Sequence, residues 1–261
     1  QSTSIPKWIL EKTNHNANEA IWLFNKGLID ETNPIAAIYK PQIAFYERFN
    51  ALDALKKTID YIHSKNSLVL LDAKRNDIGS TSKAYAETIF DYFEADAVTI
   101  NSYLGIDGVK PFLEYINKGK GIILLIKTSN PSSGEFQDLF SVALPDVSPK
   151  TTELTEIPPK ITLVRNYIQM TRLMRKWSQN FENLDAQSDN NSIVYSNIGA
   201  VVGATYPTQL KSIRKEAPNH FILIPGYGVQ GGTAKDVVHG VNNDGLGAIV
   251  NSSRSINFAY Q

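Results

Sequence analysis

The chain has 261 residues, 42% of them apolar, which suits one large α/β domain with a sizeable core. Its formal net charge is zero, so it carries no global basic field to draw nucleic acid. It contains no cysteine, which excludes disulfides, thiolate metal sites and a cysteine nucleophile. No apolar run approaches membrane-spanning length and no signal peptide is visible at Gln1, so a cytoplasmic protein without a membrane partner is expected. His15, His63, His220 and His239 are scattered without ligand spacing, and no metal is expected.

In chain order, Ile5 to Lys26 reads as helix broken near Asn14-His15-Asn16, and Ile35 to Pro41 as a strand ending in a lysine. Ala51 to Ser64 is an amphipathic helix, with Leu52, Leu55, Ile59 and Ile62 at helical spacing. Leu68 to Leu71 is a buried strand leading into Asp72-Ala73-Lys74-Arg75-Asn76-Asp77. Helix at Ser82 to Phe93, strand at Ala97 to Asn101, helix at Val109 to Ile116 and strand at Gly121 to Lys127 follow. Thr128 to Gly134 is a loop by composition.

Phe140 to Pro159 reads as irregular, with Pro145, Pro149, Pro158 and Pro159. Ile161 to Gln179 is the longest helical candidate, its Met170, Met174 and Trp177 read as core, and Asn180 to Ser192 is a polar loop. Strands at Ile198 to Thr205, Phe221 to Pro225 and Gly247 to Asn251 alternate with helices at Pro207 to Glu216 and Ala234 to His239.

Alternating strands and helices, with strands that are continuous apolar runs, imply a parallel sheet covered by helices. Chain length and the lack of a dinucleotide fingerprint favour a (β/α)8 TIM barrel as one domain over residues 1–261, with an insertion around 140–192. Only seven strands are found, one short of closure.

Chemistry in such a barrel sits where strands end. Asp72 and Lys74 are two apart, so they share a side of their strand. A structural ion pair is the plainer reading of one Asp-x-Lys, but Lys40 at the neighbouring strand end weakens it. Such a charged cluster has no packing purpose. The stretch Gly226-x-Gly228-x-Gln230-Gly231-Gly232 offers backbone N–H groups to an anion, and Arg254 ends the next strand. Together they match the usual barrel phosphate site and imply a phosphorylated small molecule.

Several motifs in order resemble those of the orotidine 5′-monophosphate decarboxylase family, in its longer bacterial-type branch. They are Tyr39-Lys40-Pro41-Gln42-Ile43-Ala44-Phe45-Tyr46-Glu47, Asp72 through Thr81, and Thr128-Ser129-Asn130-Pro131. Val202-Gly203-Ala204-Thr205, Pro225 through Gly232, and Ser252-Ser253-Arg254 complete the set. The resemblance implies a catalytic tetrad of Lys40, Asp72, Lys74 and Asp77, with Lys74 as proton donor and no cofactor. It implies that Ser129 meets the pyrimidine and that Gln230, Gly228 and Arg254 serve the phosphate. Asp77 and Thr81 would complete the neighbouring site of a homodimer.

The family's first strand ends in Gly-Leu-Asp-Pro, and this chain starts just after that point. Its final helix is also missing, so a trimmed sequence is expected. Asn76, Ser102 and Val229 replace the family's usual Gly, Pro and small residue, and these changes look tolerable. Two alternatives stay open. One is a Mg²⁺-dependent sugar-phosphate enzyme using the same Asp-x-Lys-x-x-Asp, and the other is a non-catalytic nucleotide-binding relic.

Overall fold

Asn16 opens the first long helix by accepting a hydrogen bond from the Glu19 backbone N–H, and this separates α1 (Lys7–Lys12) from α2 (Ala17–Thr32). The computed structural model describes residues 5–143, 162–181 and 193–260. Next come β1 (Ile38–Tyr39), α3 (Ile43–Arg48), α4 (Leu52–Ser64), β2 (Leu68–Arg75), α5 (Gly79–Glu87), β3 (Ala97–Ile100) and α6 (Ile106–Leu113). β4 (Gly121–Lys127), α7 (Gly134–Gln137), β5 (Phe140–Ala143), β6 (Thr162–Arg165) and α8 (Asn166–Phe181) follow. The described chain ends with β7 (Ser196–Val202), α9 (Pro207–Glu216), β8 (His220–Ile224), α10 (Ala234–Val237), β9 (Ala248–Val250) and α11 (Arg254–Asn257).

Seven strands pair in parallel in the order β1-β2-β3-β4-β7-β8-β9. Each gives at least one residue to a single inner cluster: Ile38, Leu70, Ala97, Ile123 with Leu125, Val201, Leu223 and Ile249. Residues from every strand can meet only if the sheet curls, so the sheet is a barrel left open between β1 and β9. The alternate strand positions, such as Leu71, Val98, Leu124, Val202 and Ile224, face outward into a larger core beneath the helices. α4 shows how the helices cover them: Leu55, Ile59 and Ile62 are fully buried at helical spacing. From α9, Arg214 binds the carbonyls of Gly240, Ala217, Pro218, His220 and Gly247, tying the starts of β8 and β9 to that helix.

Some expectations need correction. The predicted strand at Ile35 shrinks to Ile38–Tyr39, because this edge strand has one neighbour and Ile35 stands exposed. The predicted helix at Ile161 begins only at Asn166; Thr162–Arg165 pairs antiparallel with Phe140–Ala143, which was expected to be irregular. Thr162, Leu163 and Val164 suit a strand, and the Arg165 guanidinium lies 3.9 Å from the centre of the Phe140 ring. The predicted helix at Val109 starts earlier, at Ile106. The four prolines and most of the polar loop at Asn180 to Ser192 lie outside the described residues. Among the described residues, no helix is long and apolar enough to cross a membrane.

Candidate active site

Strand parity builds the charged centre. Ile38, Leu70 and Ala97 face the inner cluster, so Lys40, Asp72 and Thr99, each two residues further on, share its side at the strands' C-terminal end. The Asp72 carboxylate is buried and accepts from Lys40 Nζ at 2.9 Å on Oδ2. Its Oδ1 accepts from Lys74 Nζ and from Thr99 Oγ1, the latter at 2.7 Å. Burial pushes the Asp72 carboxyl up, but the Lys40 charge, the Lys74 ammonium and the Thr99 hydroxyl outweigh it and hold it below the usual carboxylate range. The two lysines differ in access: the Lys40 side chain is 14% exposed and Lys74 44%. Lys74 is therefore the cation free to meet a ligand, with its charge anchored from behind.

The backbone makes this possible through a kink. Lys74 has φ +47°, a left-handed conformation disfavoured for a side chain with Cβ, and the β2–β3 register shifts between Leu71 and Arg75. The Thr99 hydroxyl accepts from the backbone N–H groups of Ala73 (3.1 Å) and Lys74 (3.2 Å) while donating to Asp72. One buried hydroxyl thus fixes both the kink and the carboxylate. Sequence reasoning missed Thr99, although its place two residues after Ala97 was a usable signal.

Asp77 is not brought to this cluster. Its Oδ1 accepts from the Ile78 N–H at 2.8 Å, and among the described residues it has no cationic partner. Thr81 is exposed on the first turn of α5.

A second group forms across the ends of β4, β7 and β8. Gly203 and Gly226 allow Ser129 to sit close: a Cβ on Gly203 would stand 2.6 Å from Ser129 Cα, and one on Gly226 3.2 Å from Ser129 Cβ. That same Gly226 position is 3.3 Å from Gln230 Oε1, so Ser129 and Gln230 meet over one glycine. A Cβ on Gly228 would lie 3.5 Å from Ser255 Oγ, which sets the start of α11, with the exposed Arg254, beside the glycine loop. The loop differs from expectation in one respect. The N–H groups of Gly228, Gly231 and Gly232 donate to carbonyls within the loop itself, of Gly232, Gly228 and Gly226. An anion is left the backbone of Tyr227, Val229 and Gln230, with the Gln230 and Arg254 side chains. The left-handed φ of Gly226, Gly228 and Gly231 (+95°, +77° and +99°) closes this tight fold. Among the described residues no group of three His, Asp or Glu side chains is arranged to hold a metal ion.

A family model described as orotidine 5′-phosphate decarboxylase / HUMPS matches residues 24–148. An orotidine 5′-phosphate decarboxylase of Petrotoga mobilis is 40% identical over 256 residues, 97% of this chain and 79% of that protein. The Clostridium perfringens protein of that name is 38% identical over 250 residues, 94% of this chain and 77% of its own. A Toxoplasma gondii structure described as an orotidine-monophosphate-decarboxylase superposes with TM-score 0.78 at 34% identity, covering 98% of this chain and 81% of its own. The Plasmodium berghei orotidine 5′-monophosphate decarboxylase gives TM-score 0.72 at 31% identity, covering 97% and 71%. At this identity and coverage, the chain belongs to the orotidine 5′-phosphate decarboxylase family.

Proposed function

We propose that this chain decarboxylates orotidine 5′-monophosphate to uridine 5′-monophosphate, as a carboxy-lyase of de novo pyrimidine biosynthesis. The observation that carries the reading is the half-exposed Lys74 ammonium held against a buried carboxylate that Lys40 also neutralises. The bond from C6 to the substrate carboxylate breaks, CO₂ leaves, and the electron pair stays at C6. Lys74 opposes that developing charge and then gives C6 a proton; the resulting amine regains one from water. Asp72 lies near the departing carboxylate and keeps Lys74 charged and aimed. Lys40 balances Asp72, so the part of the centre built by one chain carries one net positive charge, which the carboxylate of a neighbouring subunit would offset.

Ser129 contacts the pyrimidine, and Gln230, Gly228 and Arg254 hold the phosphate, whose binding energy supports positioning at the remote ring. Asp77 completes the tetrad in a neighbouring subunit of a homodimer, together with Thr81. That Asp77 has no cation in its own chain, among the described residues, supports this arrangement.

The test is loss of orotidine monophosphate absorbance with and without EDTA, beside a uridine monophosphate binding measurement. The parent chain is expected to turn over in both buffers and Lys74→Ala to lose turnover while still binding product. A Lys74→Ala protein at the parent rate would overturn the role of Lys74. Activity abolished by EDTA would select metal-dependent chemistry, and binding without turnover by the parent a non-catalytic protein.

A further inference from the structure

Lys127 ends β4, and its side chain has no exposed surface. No other lysine among the described residues is so enclosed. Its ammonium donates to Ser133 Oγ and Asp138 Oδ2, both at 2.8 Å, and lies 4.0 Å from the centre of the Tyr206 ring. A buried ion pair is weak evidence for stability, since apolar side chains of similar volume often serve as well. The partners suggest another purpose. Ser133 and Asp138 stand at the far side of the loop that leaves β4, and Tyr206 follows β7.

The loop between them is gripped at every residue. Tyr206 donates its hydroxyl to the Asn130 carbonyl at 2.9 Å. Thr205 Oγ1 donates to the Ser129 carbonyl at 3.2 Å. The Gln137 amide accepts from the Thr128 N–H at 2.9 Å and donates to Thr128 Oγ1 at 3.0 Å. The backbone is thus tied on both flanks, and the Ser129 hydroxyl has no protein partner among the described residues. Lys127 joins the two flanks, because it alone bonds the far side of the loop while packing under Tyr206.

We infer that Lys127 is a positioning residue: with Asp138 and Tyr206 it sets the Thr128-Ser129-Asn130-Pro131 loop at a fixed height over the barrel mouth, so that Ser129 can read the pyrimidine. This rests on the assignment of Ser129 to the base. Lys127 touches no reacting atom and acts through Ser129.

The experiment compares Lys127→Met, Tyr206→Phe, Ser129→Ala and the Lys127→Met/Ser129→Ala double variant by steady-state kinetics with orotidine 5′-monophosphate. Thermal melts run alongside. Lys127→Met is expected to raise KM tenfold or more, and Tyr206→Phe, which keeps the ring but frees the Asn130 carbonyl, severalfold at an unchanged melting temperature. The double variant should be no worse than the poorer single one, because both act at one contact. Multiplying effects in the double variant would overturn the inference, since a general weakening of the fold adds to the loss of Ser129. If Ser129→Ala is impaired while Lys127→Met and Tyr206→Phe both stay within twofold of the parent, the role of Lys127 falls and that of Ser129 stands. If Ser129→Ala itself behaves as the parent, the assignment of Ser129 falls and takes the inference with it. Should Lys127→Met not fold, Asp138→Asn, which removes the charge paired with the same ammonium, takes its place: a raised KM supports the inference and a KM within twofold of the parent overturns it.

Discussion

Replacing Thr99 by valine keeps the shape of the side chain and removes the hydroxyl on which β2 and β3 converge. Three interactions disappear at once: the bond to Asp72 Oδ1 at 2.7 Å and those from the Ala73 and Lys74 N–H groups at 3.1 and 3.2 Å. The first, to an ionised acceptor, is worth about 1.5–3 kcal/mol, and an unpaired buried N–H costs about 1–3 kcal/mol. The two N–H bonds are long and share one oxygen, so they do not add in full, and about 3–5 kcal/mol is the expected total. At about 2–4 °C per kcal/mol for a chain of this size, the melting point should fall by roughly 10 °C. The rate should fall further than stability requires. Without its anchor the Lys74 kink relaxes and Asp72 turns, and a loss of about 1.4–2.8 kcal/mol in the transition state is about 10- to 100-fold in kcat. Thr99→Ser, which retains the hydroxyl, should stay within about threefold of the parent. Kinetics are measured well below each variant's melting point, so that unfolding does not enter. A Thr99→Val protein with parental kcat and melting temperature would refute the reasoning, and so would a serine variant as impaired as the valine one.

Gly203→Ala should raise KM at least tenfold, because its Cβ would meet the Ser129 backbone at 2.6 Å and push the loop outward; an unchanged KM would show that the loop yields without consequence. Burial next to Arg175 and Arg214 pulls the His220 imidazole down to about 4, while the unfolded chain takes up that proton near 6.5. The unfolded state therefore binds more protons between those values, and stability on the order of 3 kcal/mol should be lost as pH falls through that window. A denaturant titration series should lose that slope in His220→Gln, and a slope unchanged by the substitution would contradict the assignment. The Asp72 contribution, from a depressed carboxyl, is present above 3.8 and is lost only at more acid pH, so the two are separable. Mixing Lys74→Ala and Asp77→Ala chains under subunit exchange should restore about one quarter of parental activity, since half the dimers are hybrids with one intact site. No recovery on mixing would place Asp77 outside the neighbouring site.

The chain by itself determined the alternation of strands and helices, and the places where apolar runs end in Lys40, Asp72, Lys127 and the glycine loop. Burial periodicity and turn residues are local properties, and they are written in neighbouring positions. The motif order also carried the family, because the candidate functional side chains stand at strand ends, where each apolar run gives way to polar residues. Tertiary structure decided the rest. Thr99 reads as one more β-branched strand residue until the β2–β3 register brings its hydroxyl onto Asp72 and the Lys74 backbone. Lys127 reads as a charged strand end until the chain returns, at Asp138 and at Tyr206, to enclose it. The glycine loop offers its N–H groups on paper, yet folding spends three of them internally. Thr162–Arg165 continues a helical pattern until Phe140–Ala143 lies beside it. In the glycine loop the partners are local and the turn conformations decide the pairing; in the other cases the deciding partner is distant in sequence, and hydrogen bonds and burial depend on which groups meet, something spacing along the chain does not contain.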